Sequence, residues 1–323
     1  MSHDLDRVLA RLAEALPGHA ISGLRPLTTG FSNETYLVEG ADLILRLPPA
    51  AGSMLEGFGV LDQARVYQAL GEVPDGPPVP RIVAMVDDPQ TPFFVMERVP
   101  GEPINDLAPQ AWFAEADTAT RRDVCREWIG IFAANAQLAP LPQLGPLQSP
   151  EDNMVRWRAF AEQAQSAPTV AAIDRLLARP APISGPPAIV HGDPKLSNLM
   201  WHEGHVSAVL DWEMALNGEP LGDLAYMLYG FENRYHPATR AQKLPGMLVR
   251  NEVIALWEER TGRSASGVEW HEIAQFCKLC AILAAGAEMR NSGRSDDPKL
   301  AYFQTNLDSW IALTRAMLDD AGL

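Results

Sequence analysis

Residues 189–200 read "IVHGDPKLSNLM": an apolar strand-like start, a glycine turn, then Asp193, Lys195 and Asn198 within six positions before apolar residues resume. An acid, a cation and an amide packed so tightly between two apolar stretches mark a loop whose side chains have a task other than filling a core. The residues that follow, "LMWHEGHVSAVLDWEMA", give Leu199 to Trp201 and Val206 to Leu210 as two strands around a His202-Glu203-Gly204 turn. Counted from Gly204, Asn198 lies six residues back and Asp211 seven on, so the hairpin is expected to bring both to its open end. A carboxylate beside an amide carbonyl suits a hard cation such as Mg2+, which takes its other ligands from water and phosphate. Asp193, just past the short strand Ala188 to Val190, is placed to accept a proton from a hydroxyl. A base, a phosphate-neutralising cation and metal ligands then converge on one transferring phosphoryl group.

Outward from this loop the chain falls into two halves. Leu5, Val8, Leu9, Leu12 and Leu16 form one face of a helix that ends at Pro17 and Gly18. A glycine turn in "LTTGFSNETYLV" leads into a hairpin of Thr35 to Val38 and Leu43 to Leu47. "VLDQARVYQAL" is helical, and "VPRIVAMVDDPQTPFFVMERVPGEP" supplies two more strands split by Asp87-Asp88-Pro89. Pro100, Gly101 and Pro103 interrupt that pattern, and from about residue 110 the periodicity is mostly helical. The expected architecture is α+β and bilobal: a small antiparallel β-rich lobe over 1–100, a mainly helical lobe over 101–323, and a ligand cleft between them.

Composition narrows the function classes. The 323 residues carry a formal charge of -15, which argues against a nucleic-acid surface. No apolar run approaches the roughly 18 residues of a membrane span, and the acidic amphipathic start has no basic n-region or cleavage site. A cytoplasmic protein is the expectation. Cys125, Cys277 and Cys280 are too few for a disulfide framework; the CxxC pair sits inside a helical pattern without zinc-spaced partners and reads as buried helix cysteines.

"HGDPKLSN" followed by "LDWE" resembles the catalytic loop and metal motif of the aminoglycoside phosphotransferase family, a branch of the protein-kinase-like fold, close in flavour to the kinase-like domains fused to acyl-CoA dehydrogenases. The resemblance implies that Asp193 is the catalytic base, that Asn198 and Asp211 hold Mg2+, and that Lys195 lies near the γ-phosphate of ATP or GTP. It extends to "GFSNETYLV", similar to a phosphate-covering turn with Gly30, Phe31, Ser32 and Asn33 at the nucleotide. "LILRLPP" stands at the phosphate-binding strand, with Arg46 where relatives have Lys, and "FFVMERVPGEP" at the adenine hinge, with Met96, Glu97 and Val99. In "GEPLGDLAYML", Asp223 stands where the family braces its catalytic loop. The acid that usually partners the strand cation is not obvious: the helix offers Asp62 beside Gln63.

The implied activity is transfer of a γ-phosphate to the hydroxyl of an unidentified small molecule. A catalytically silent nucleotide-binding scaffold is the competing reading, motivated by Arg46 and the uncertain helix acid. Metal-dependent hydrolysis through His191 and Asp193 lacks a supporting cluster of ligands. His191 reads as a loop-holding residue and His202 and His205 as exposed turn residues, while Glu213 either orients water at the metal or is solvated. Acceptor selectivity is expected from 231–248 and 284–297, where Glu232, Glu288, Asp296 and Asp297 alternate with Arg234, Arg240 and Arg290.

Overall fold

A computed structural model describes residues 3–29, 33–49 and 59–323. The N-terminal half is a five-stranded antiparallel sheet of β1 (Gly23–Thr29), β2 (Glu34–Glu39), β3 (Leu43–Leu47), β4 (Ile82–Val86) and β5 (Phe93–Glu97), in the order β1-β2-β3-β5-β4. β1 was hidden in the sequence by Pro26. Pro is tolerated on this edge strand, where the pairing with β2 slips between Pro26 and Thr28.

Two-residue alternation decides what each face of the sheet meets. Leu43, Leu45 and Leu47 of β3, with Phe93 and Val95 of β5, pack under Val8 and Leu12 of α1 (Leu5–Ala15). Ile44, Phe94 and Met96 point the other way, onto α2 (Val60–Gly71). Arg46 shares the face of Ile44, so strand geometry alone carries its guanidinium toward the cleft.

After β5 the chain forms β6 (Glu102–Pro103), which pairs with β8 (Leu199–His202) in a sheet with β9 (His205–Val209). Gly101, at φ 104°, lies so close to the Trp201 carbonyl that a Cβ would stand 2.1 Å from it. β7 (Ala188–Val190) pairs with β10 (Leu216–Gly218). The rest is helical: α3 (Ala111–Ala114), α4 (Thr118–Asn135), α5 (Pro150–Gln163), α6 (Ala167–Leu177), α7 (Leu221–Tyr229), α8 (Arg250–Thr261), α9 (Val268–Asn291) and α10 (Lys299–Asp320). α9 is buried on nearly all sides, against α5, α6, α7 and α10. Cys125, Cys277 and Cys280 are all buried, the last two inside α9 as the helical pattern implied.

The largest apolar cluster does not stop at the lobe boundary. It runs from Ile44, Phe94 and Met96 through Val60, Ala64, Tyr67 and Leu70 to Trp128, Phe132, Leu196 and Trp212.

Candidate active site

The loop from His191 to Asn198 is held by an almost complete set of backbone hydrogen bonds, as burial requires. The Asp223 carboxylate, on the first turn of α7, accepts the N–H of His191 (2.7 Å) and of Gly192 (2.8 Å). Burial pushes the Asp223 carboxyl up, partly offset by His191 and these two N–H groups. The Gly192 carbonyl accepts Lys278 Nζ (2.6 Å), the Pro194 carbonyl accepts Trp128 Nε1 (2.8 Å), and the Asp193 carbonyl accepts Asn198 Nδ2 (2.8 Å). Gly192 sits at φ 83°, and a Cβ there would lie 2.4 Å from the Met214 carbonyl, so no other residue fits.

His191 is fully buried between Trp212 and Phe132, with ring centroids 4.5 and 5.3 Å away. Its Nε2 lies 2.9 Å from the Leu210 carbonyl and its Nδ1 accepts the Asp193 N–H (3.2 Å), which assigns the proton to Nε2. Burial lowers its pKa. A neutral, fully bonded ring is the loop-holding residue expected, not a base.

These bonds leave Asp193 one way to point. Its Oδ2 accepts Lys195 Nζ (2.6 Å) and Asn198 Nδ2 (2.9 Å), while the buried Oδ1 has no hydrogen-bond partner among the described residues. Burial pushes this carboxyl up, but Lys195, with help from Tyr226 and Lys278, outweighs it and brings the pKa down to about 2. Burial works against the Lys195 ammonium too, yet Asp193, Asp211 and Asp106 around it hold its pKa above the ordinary lysine value.

The β8–β9 hairpin closes with the Leu210 N–H on the Asn198 carbonyl (2.7 Å), so Asn198 and Asp211 leave the same end of the ribbon. Asp211 adopts φ 66°, ψ 55°, left-handed geometry that is costly for a non-glycine residue. Two groups of the other lobe hold it there. Its N–H donates to Tyr67 Oη (2.9 Å), and its Oδ1 accepts Arg46 Nη2 (3.3 Å). Burial drives the Tyr67 phenol far above its ordinary pKa, so it stays neutral and able to accept that bond.

Of the two α2 residues weighed as partners for Arg46, Asp62 turns outward and pairs with Arg65 (2.6 Å). Gln63 is the buried one, and neither atom of its amide has a partner among the described residues. Glu213 accepts Asn33 Nδ2 (3.2 Å), joining the metal-motif segment to the strand that follows the glycine turn. Gly30, Phe31 and Ser32 lie outside the described residues. At the expected hinge, Met96 is buried opposite Ile44; the Glu97 N–H donates to the Arg81 carbonyl (3.0 Å) and its carboxylate accepts Arg81 Nε (2.9 Å). Val99 follows, half-buried, before the turn at Gly101.

Sequence reasoning missed Asp106, Tyr67, Tyr226 and Lys278. Asp106 accepts Gln242 Nε2 (3.2 Å); burial raises its pKa, and Lys195 and Asp193 both lie within its electrostatic reach. Tyr226 is one helical turn from Asp223, a spacing that would have put it on the same face. Lys278 is the one charge between Glu272 and Glu288 of α9, which was its only signal. In the segments expected to set selectivity, Arg234 pairs with Asp320 and Glu288 with Arg294. No group of His, Cys, Asp and Glu among the described residues has the form of a metal cluster, and no described helix is long and apolar enough to cross a membrane.

The profile of a family described as "Phosphotransferase enzyme family" matches residues 23–257. Acyl-CoA dehydrogenase family member 10 of Mus musculus is 31% identical over 212 residues, 61% of this chain and 19% of that protein. Member 11 of Rattus norvegicus is 26% identical over 302 residues, 86% of this chain and 38% of that protein. The chain thus spans well under half the length of these relatives. A protein of Ralstonia eutropha provisionally described as an aminoglycoside phosphotransferase superposes with a TM-score of 0.74 at 22% identity, over 98% of each chain. The gentamicin complex of APH(2″)-IIa gives 0.63 at 13%, over 95% of this chain and 97% of that one. These likenesses establish a kinase-like fold. Since the profile covers the β-rich sheet, the loop that carries Asp193 and Asn198, and Asp211 beyond the hairpin, the chain belongs to the phosphotransferase enzyme family.

Proposed function

We propose that this protein transfers the γ-phosphoryl group of ATP to the hydroxyl of a small molecule. The observation that carries the reading is the unpartnered Oδ1 of Asp193. This buried carboxylate oxygen has no hydrogen-bond partner among the described residues, and it lies beside a lysine, an amide and the Tyr226 phenol. A substrate hydroxyl donating to Oδ1 gives that atom its missing partner and aims the hydroxyl oxygen at the phosphate. ATP as donor rests on similarity: fold neighbours include APH(4)-Ia complexes with ADP and with AMP-PNP.

The donor set fits Mg2+. Asn198 spends its Nδ2 on Asp193, which turns its amide oxygen away from the loop, and Asp211 has a second carboxylate oxygen beyond the one Arg46 touches. Those two oxygens are the proposed ligands. When bound, the metal neutralises charge on the phosphates. Arg46 then moves its hydrogen bond from Asp211 to an α- or β-phosphate, a role that its rigid fork serves well.

Lys195 couples the two ends of the transfer. While it holds Oδ2, Asp193 is a very weak base; as the ammonium turns toward the γ-phosphate, the carboxylate loses its strongest stabiliser and becomes more basic. The backbone of Glu97 to Val99 is the proposed adenine contact, and the glycine turn of Gly30, Phe31, Ser32 and Asn33 the proposed phosphate cover.

Measuring ATP consumption with and without a panel of alcohols, in Mg2+ and in chelator, tests this reading. Mg2+-dependent, acceptor-dependent ADP release is expected. Tight Mg-ATP binding with no turnover on any acceptor would favour the silent scaffold, and equal nucleotide affinity in Mg2+ and chelator would remove the metal assignment.

A further inference from the structure

We propose that Lys278 is a positioning residue of the phosphotransfer site: from the middle of α9 its ammonium clamps the Gly192 carbonyl and rests on the Tyr226 ring, so that Asp193 faces the cleft. This rests on the phosphotransferase reading of the loop.

Besides Glu272, which pairs with Arg250, three buried polar residues stand on α9 at helical spacing: His271, Gln275 and Lys278. Each meets a backbone carbonyl. His271 Nε2 lies 2.8 Å from the Pro182 carbonyl, Gln275 Nε2 donates to Gly222 (3.2 Å), and Lys278 Nζ donates to Gly192 (2.6 Å). The stripe thus fastens α9 to the segment before β7, to the start of α7 and to the catalytic loop. Of the three, only Lys278 has an ammonium group, and only it reaches the residue next to Asp193.

Its placement is costly. Lys278 is 4% exposed, and in place of an ion pair it has a carbonyl and an aromatic face, with Nζ 4.5 Å from the Tyr226 centroid. Burial drives its pKa down from 10.5 to about 8, against the pull of Asp193 and Asp223 and with a push from Lys195. An apolar residue of the same length would suit the helix interior better, so stability alone does not explain a lysine here. Position does. Gly192 is held from three sides, by Asp223 on its N–H, by Met214 against its Cα and by Lys278 on its carbonyl. Release of the carbonyl leaves the peptide between Gly192 and Asp193 held only by the long Asp193 N–H bond to His191 Nδ1 (3.2 Å), and that peptide sets the direction of the carboxylate. Tyr226, under the ammonium, also stands beside Asp193. One cation therefore fixes both the backbone of the base and its neighbouring phenol.

The test is steady-state kinetics of Lys278→Met and Lys278→Arg, using Mg-ATP and whichever alcohol the wild-type enzyme phosphorylates. Lys278→Met is expected to lower kcat per folded molecule about 10- to 100-fold, the usual effect of a misplaced catalytic group. KM for Mg-ATP should stay within about two-fold and Tm within about four degrees, because the lost bond is offset by removal of a buried charge. Lys278→Arg should recover most of kcat. Wild-type kcat in Lys278→Met, a loss that only tracks the folded fraction, or an arginine variant as slow as the methionine one overturns the inference. Should Lys278→Met fail to fold, Lys278→Gln, uncharged and one atom shorter, must show the same kcat-only loss; full turnover in it counts against the clamp. A wild-type enzyme inert toward every acceptor defeats the phosphotransferase reading itself and the inference with it, while an active wild type with an equally active Lys278→Met defeats the inference alone.

Discussion

Asp193→Asn separates catalysis from binding. The carboxylate has two unlike oxygens: Oδ2 is fixed by Lys195 (2.6 Å) and Asn198 (2.9 Å), and Oδ1 has no hydrogen-bond partner among the described residues. An asparagine must keep its oxygen at the Oδ2 position to satisfy both donors, which forces its NH2 into the place of Oδ1. There it presents hydrogens to an acceptor hydroxyl that needs an acceptor of its own proton. The variant loses general-base assistance and misdirects the substrate, so turnover should fall by about two to four orders of magnitude. Nucleotide binding should survive, because the amide oxygen kept at the Oδ2 position still accepts Lys195 and Asn198, and Arg46 and Asp211 are not among the hydrogen-bond partners of Asp193. Asp211→Asn is the contrast: it removes a charged ligand and the partner of Arg46, so turnover and Mg2+-dependent nucleotide affinity drop together. The assays are ADP release with an accepted alcohol and calorimetric titration with Mg-ATP. Wild-type turnover in Asp193→Asn, or a loss of nucleotide affinity as large as that of Asp211→Asn, would refute the assignment.

Arg46→Ala should weaken Mg-ATP binding about 10- to 100-fold, the worth of one charged hydrogen bond to phosphate; an unchanged dissociation constant means that β3 does not serve the nucleotide. Asp223→Ala leaves the buried N–H groups of His191 and Gly192 without acceptors and should cost about 2 to 6 kcal/mol in denaturant unfolding. A loss below about 1 kcal/mol would mean that the loop is braced elsewhere. Lys278 makes stability rise with pH. With its pKa near 8 in the fold and 10.5 unfolded, the unfolded chain holds the extra proton between those values, so unfolding should become harder by up to about 3 kcal/mol as pH climbs through that window. Lys278→Met should lack this increment, and parallel pH curves for the two proteins would contradict it.

What could be read from the chain was what short-range spacing encodes. Asp193, Lys195 and Asn198 share one loop, and the Gly204 hairpin ties Asn198 to Asp211, so local geometry suffices to bring them together. The alternation of β3 likewise settles where Arg46 points. β1 escaped because Pro26 argues against a strand until one knows that it lies on the sheet edge. Asp62 and Gln63 could not be ranked, since adjacent residues on a helix face about 100° apart and only the packing of α2 shows which turns inward. Tyr67 and Lys278 approach the site from 144 and 86 residues away in sequence, contacts that no local pattern reports.

The apolar cluster that passes from Ile44, Phe94 and Met96 into Trp128, Phe132 and Trp212 bears on how the molecule comes apart. Neither half owns a closed interior on its cleft side; each supplies the wall against which the other is dry. Melting one half wets the other, so heat should take the chain through a single calorimetric transition with equal van't Hoff and calorimetric enthalpies. A fragment ending near residue 100 would keep α2 over Ile44, Phe94 and Met96 but present to solvent the side of α2 that packs on residues 142–144 and 212–214, and associate through it. The cleft proposed for phosphate transfer is then the seam of one cooperative unit, with a continuous apolar contact beneath it.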